Sequence, residues 1–160
     1  SNTDRSRYYV GELNGKSSKQ AYMDALHISE SNIINQTFHN PLGKMNGQDI
    51  CIISLKEVSG NGLCCYRQVN DSDVLVLLEE QDYNEILDET LQRIRRDFNH
   101  ISGVFSINCV FRYLLFSQEH HMEDYLKTMS TLGDHAGLIG FGEHYNQQFV
   151  NHTMTCVVFE

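Results

Sequence analysis

Between Asp82 and Ile101 a stripe of apolar residues recurs at three- and four-residue steps: Tyr83, Leu87, Leu91, Ile94, Phe98 and Ile101. This spacing predicts a long helix with one apolar face, which is stable only when that face is covered by another layer. Asp82 supplies its N-cap, with Glu85 completing a capping box. What precedes this helix has a different grammar. Residues 8–13, 49–58, 63–69 and 74–78 read as strands, separated by turn formers at Asn14-Gly15, Ser59-Gly60-Asn61-Gly62 and Asn70-Asp71-Ser72-Asp73. Ser17 with Gln20 opens a helix to about His27, a short helix is expected over 29–38, and 40–47 reads as a loop.

Beyond the long helix, residues 104–116 are expected to form a strand. A second amphipathic helix follows Ser117, with Met122, Leu126, Met129 and Leu132 inward, and Gly133-Asp134 stops it. Two last strands, about 136–141 and 149–159, flank a tight segment at 142–146. A meander followed by alternating helix and strand predicts an α+β fold: a largely antiparallel or mixed sheet with amphipathic helices packed on it. A length of 160 residues suits one domain, read as 8–160, with 1–7 as a flexible lead-in or an expression remnant.

The formal charge of −9 speaks against nucleic acid, whose binding depends on cations that neutralise phosphates, and against an anionic membrane surface. Arg93, Arg95 and Arg96 are most simply a solvated helix face, placed where positive charge suits the helix dipole. No apolar run reaches the roughly 20 residues of a membrane span, and the first residues are too polar for a signal peptide. Cys51, Cys64, Cys65, Cys109 and Cys156 are odd in number, form no CxxC pair and sit mostly in apolar runs. Reduced, core-filling thiols and a cytoplasmic location are the expectation.

Catalytic signatures such as GxSxG, a Walker loop or HExxH do not occur. Gly140-Phe141-Gly142 begins like a dinucleotide fingerprint but lacks a surrounding βαβ unit. His120-His121 with Glu123 and Asp124 is the most metal-like cluster, yet it falls opposite the apolar side of its helix and reads as a solvated face. Cys109 as a nucleophile would need a histidine or cation beside it. Arg112 would lie on the opposite face of a regular strand, while His135, His144 and His152 could approach only through the fold. A buried structural thiol is the simpler reading, so no enzyme activity, metal or cofactor is expected. The stretch Gly137 to Tyr145, with Asn151-His152-Thr153, could bring polar groups to one rim of the sheet or form a hairpin facing water.

Taken in order, these segments resemble the FIST C-terminal domain, the second half of the "F-box and intracellular signal transduction" sensory module. The resemblance rests on the strand at 8–13, the helix at 17–26, Pro41-Leu42-Gly43, Asn108-Cys109 with Arg112, Phe141-Gly142-Glu143 and Asn151-His152-Thr153. It implies a sensory role with small ligands, amino acids among them, and an N-terminal FIST domain as partner. Carried over by position, Cys109, Arg112, Phe141, Gly142, Glu143, Asn151 and Thr153 become the ligand-facing candidates. Arg112 could grip an α-carboxylate and Glu143 an ammonium group, or the two could pair with each other. His144-Tyr145 departs from the family, where an apolar residue commonly follows Gly-Glu. A non-catalytic scaffold binding the N-terminal domain is the alternative, and an enzyme using Cys109 ranks third.

Overall fold

A computed structural model describes residues 3–4, 8–47, 49–145 and 148–160, and its contacts divide into two compact units, Ser1–Glu80 and Gln81–Glu160. The expected lead-in at 1–7 falls largely outside the described residues. The first unit carries β1 (Thr3–Asp4), β2 (Tyr9–Val10), β3 (Glu12–Leu13), β4 (Lys16–Ser17), α1 (Ser18–Leu26), α2 (Ile33–Gln36), β5 (Leu42–Asn46), β6 (Asp49–Ile53), β7 (Leu55–Ser59), β8 (Gly62–Cys65) and β9 (Leu75–Leu77). These strands pair in the orders β1-β2-β8-β7, β3-β4 and β6-β5-β9, antiparallel throughout.

Local chemistry accounts for the boundaries. Ser17 Oγ accepts the Gln20 N–H at 3.3 Å, and His27 closes α1 in the left-handed region at φ 54°. The expected loop at 40–47 is instead mostly strand, because β5 pairs on both edges. Gly43 permits this: a Cβ there would lie 2.8 Å from Ile50 and 3.0 Å from Leu78. The single strand expected over 49–58 is two, with Ser54 between them. β6 joins β5, whereas β7 joins β8. Val10, Tyr22, Ile33, Leu42, Ile53, Leu55, Leu63, Cys65 and Val69 form the core.

The second unit begins with α3 (Tyr83–Asp97), capped by Asp82 Oδ1, which accepts from Asn84 and Glu85 at 2.8 and 3.2 Å. Leu87, Leu91 and Ile94 are buried as the stripe predicts, while Phe98 is already the C-cap. Then come β10 (Gly103–Cys109), α4 (Val110–Gln118), α5 (Met122–Ser130), β11 (Asp134–Gly140), β12 (Glu143–Tyr145), β13 (Gln148–Val150) and β14 (Met154–Phe159). β10 is central, parallel to β11 over seven residue pairs and antiparallel to β14. α4 and α5 form the crossover that a parallel pair requires. β12 and β13 make a short hairpin. The fold is α+β with mostly antiparallel sheets, as the sequence implies.

Two expectations are corrected here. The strand over 104–116 stops at Cys109, and the chain turns directly into α4. A continuous apolar run has no period to separate strand from helix, and Leu115 and Phe116 supply the buried side of a helix. On α5, Leu126 is 46% exposed and Tyr125 faces inward instead, beside Met129, which is buried as expected. Among the described residues, no helix is long and apolar enough to cross a membrane.

Candidate functional site

Cys109 occupies the junction between β10 and α4, where it is the N-cap residue. Its N–H donates to Thr153 O at 3.0 Å, tying the junction to the segment before β14. Thr153 Oγ1 in turn donates to Glu143 Oε2 at 2.9 Å. Glu143 begins β12 and is only 2% exposed, yet its Oε1 has no hydrogen-bond partner. Burial raises its pKa, which the Thr153 hydroxyl and the Cys109 thiol only partly offset. Cys109, Glu143 and Thr153, three of the sequence candidates, thus form one buried cluster.

The thiol is held in its neutral form. Burial raises the Cys109 pKa, and although the amides of His152, Phe111 and Arg112 favour the thiolate, the Glu143 carboxylate opposes them. His152 is adjacent in sequence to Thr153, stacks on Phe111 with centroids 4.9 Å apart and the rings 11° from parallel, and is pushed down by burial to about 4. It adopts φ 57°, an uncommon conformation for a residue with a side chain.

Arg112 does not lie on a strand face opposite Cys109. It sits in the first turn of α4 and lays its guanidinium over Phe116, 4.6 Å from the ring centroid, and Tyr125, at 5.7 Å. Its Nε is buried without a partner, and burial lowers its pKa. No ion pair joins Arg112 to Glu143, so the pairing alternative is not what this fold adopts. Phe141 is 89% exposed and stands outside the cluster. Gly142 has φ 139°, and a Cβ there would lie 2.1 Å from the Phe149 ring, so the turn before Glu143 accepts only glycine. Asn151 is half-buried in the turn before β14.

Four residues outside the sequence candidates complete the surroundings. Asn108 Nδ2 donates to Tyr125 OH at 2.7 Å, Ser106 Oγ lies 2.9 Å from His135 Nε2, and Asn108 Oδ1 is buried without a partner. Together with Phe116 and Gly137 they line a cavity of about 340 Å³ between the sheet and α4 and α5, with Leu126, Leu138 and Ile139 exposed at its rim. Phe116 and Tyr125 therefore form both a cavity wall and the surface beneath Arg112. The alternation of Ser106 and Asn108 along a strand marks a shared face, but the contribution of Tyr125 has no signal in local sequence.

The cluster of charges near His120 separates in three dimensions. Glu123 and Asp124 face Lys127 at 2.9 and 3.9 Å on the exposed side, whereas His121 packs against Tyr83 and Phe116.

These features describe an α+β domain in which Cys109, Glu143 and Thr153 converge where β10, β12 and the start of β14 meet, while Arg112 of α4 lies over Phe116 and Tyr125. The chain matches the FIST C domain over residues 19–146, and it belongs to that family of signal-transduction sensory domains. No curated protein and no solved structure matches it significantly.

Proposed function

We propose that this domain is a non-enzymatic, cytoplasmic sensor of a small zwitterionic ligand, with amino acids the leading class. One observation carries the reading: Arg112 Nε and Glu143 Oε1 are buried polar atoms in one unit, each without a partner, and the two side chains do not pair with each other. Leaving such groups unsatisfied costs stability unless a ligand completes them. An α-carboxylate suits the planar guanidinium, an ammonium suits Glu143, and the apolar rim beside Phe116 and Tyr125 suits a side chain. Cys109 as a neutral thiol and His152 as a neutral imidazole support binding over nucleophilic chemistry. Five free thiols fit a reducing compartment.

The test is a thermal-shift screen of the wild-type chain against free amino acids, followed by calorimetry on any hit. Binding stabilises the folded state by about 2.7 kcal/mol at a hundredfold excess over Kd. The expected result is a shift that Arg112→Gln and Glu143→Gln each abolish while circular dichroism stays unchanged. A hit that survives both substitutions would place the ligand elsewhere, and a screen with no hit would remove amino acids as the ligand class. Slow alkylation of Cys109 by iodoacetamide near neutral pH is expected; rapid alkylation would reopen catalysis.

A further inference from the structure

The cavity between the sheet and helices α4 and α5 holds about 340 Å³, and pockets for small molecules begin at about 300 Å³. Ser106 and Asn108 stand two residues apart on β10 and so share the face that floors it. The polar groups there are spent on one another. Ser106 Oγ meets His135 Nε2 at 2.9 Å and Tyr125 OH at 3.4 Å, while Asn108 Nδ2 donates to Tyr125 OH at 2.7 Å. Asn108 Oδ1 is left over, buried and without a partner, and a donor entering the cavity would satisfy it. The walls are uncharged. None of the described lining residues is an aspartate, glutamate, lysine or arginine, and burial lowers the His135 pKa, so its imidazole is neutral near pH 7. Three rings meet there at an angle: Phe116 and Tyr125 are tilted by 45° with centroids 5.6 Å apart, and His135 stands edge-on to Tyr125 at 6.2 Å. Rings so arranged offer edges and faces to a further aromatic ring.

We propose that this cavity receives the side chain of the ligand and selects a neutral aromatic ring bearing one donor, the indole of tryptophan or the phenol of tyrosine. The inference rests on the sensor reading for the ligand's charged ends and adds which amino acids are taken. Arg112 links the two, because its guanidinium lies over Phe116 and Tyr125, whose rings also wall the cavity. A charged side chain would lose its water and find no counter-charge. A methyl or isopropyl group would leave most of the volume unfilled and Asn108 Oδ1 unpaired. A ring with an N–H or O–H fills the space, supplies the missing donor and covers the exposed rim of Leu126, Leu138 and Ile139.

The experiment titrates the full chain with bare rings, indole and phenol, each against its donor-less counterpart, 1-methylindole and anisole. The chain contains no tryptophan, so indole fluorescence excited beyond the tyrosine band reports on the ligand alone; calorimetry reads the others. Indole or phenol is expected to bind saturably and at least about tenfold tighter than its counterpart, the worth of one hydrogen bond. Leu126→Glu sets a carboxylate at the exposed rim and is expected to weaken ring binding to a similar degree. Neither ring binding, a methylated counterpart binding as tightly, or Leu126→Glu leaving binding unchanged would overturn the proposal. Whole amino acids then separate it from the reading it rests on. Leucine bound as tightly as tryptophan and tyrosine would overturn the proposal and leave the sensor standing. A bare ring that binds where no amino acid does would uphold the aromatic cavity and remove the amino-acid reading.

Discussion

Glu143 and His152 sit within ten residues of each other, and burial disfavours the charged form of both, with opposite consequences for pH. His152 has a folded pKa of about 4, below its unfolded value, so its contribution to stability is complete above pH 6.5 and lost as pH falls toward 4. The full loss amounts to roughly 3 kcal/mol at about 1.4 kcal/mol per pKa unit. Glu143 has a raised folded pKa, so the fold is relatively favoured at low pH, and that advantage disappears as pH rises through the folded value. Urea unfolding at intervals from pH 4 to 8 separates the two. His152→Asn, chosen because asparagine tolerates positive φ, is expected to flatten the acid limb. Glu143→Gln is expected to gain stability at pH 7 relative to wild type. An unchanged acid limb in His152→Asn would show that this imidazole is not held neutral.

At the scale of elements, β10, α5 and β14 are joined by the phenol of Tyr125, which receives Asn108 Nδ2 and reaches Met154 Sδ at 3.6 Å. Tyr125→Phe leaves the Asn108 amide without its partner and is expected to cost about 1–3 kcal/mol. A double-mutant cycle with Asn108→Ala, read by chemical denaturation, should show strong coupling between the two positions. The parallel pairing of β10 with β11 depends on Gly137, where a Cβ would come within 2.6 Å of Ser106 O. Gly137→Ala should therefore destabilise by more than about 1 kcal/mol, a strain cost added to any propensity effect, with the thermal midpoint as readout.

These elements also show how far the sequence could be read. The capping residues Ser17 and Asp82 and the stripe through Leu87, Leu91 and Ile94 announced α1 and α3, because capping and helical periodicity are local. Cys109, Glu143 and Thr153 were named from ordered motifs, and the fold does bring them together. Arg112 was misplaced for a definite reason: nothing in residues 104–116 distinguishes a buried strand from a strand that becomes a helix. Tyr125 and the cavity are invisible, and His135 is named only as a possible neighbour of Cys109, because these contacts join segments 17 to 29 residues apart in sequence, and no local pattern encodes that meeting.

At the scale of the whole molecule, no sheet described here crosses Glu80: the three of the first unit and the two of the second are each self-contained. Every candidate ligand-contacting residue lies in the second unit. Residues 81–160 expressed alone are expected to fold, though with modest stability, since a domain of this length buries only about 60% of its unfolded surface. A dispersed proton–nitrogen NMR spectrum that changes with the same ligand as the full chain is the expected result. A collapsed spectrum would mean that the second unit requires the first.

The solitary Oε1 of Glu143 makes ligand recognition and acidity a single thermodynamic event. An ammonium group arriving there favours the ionised carboxylate, so uptake of ligand must expel a proton wherever the acid is still partly protonated. Affinity then climbs with pH until the free domain's Glu143 is fully ionised and is level above that point. Titration calorimetry in two buffers of unequal ionisation enthalpy would register the expelled proton directly as a buffer-dependent heat. A domain built this way answers to the acidity of its surroundings as well as to the abundance of its ligand.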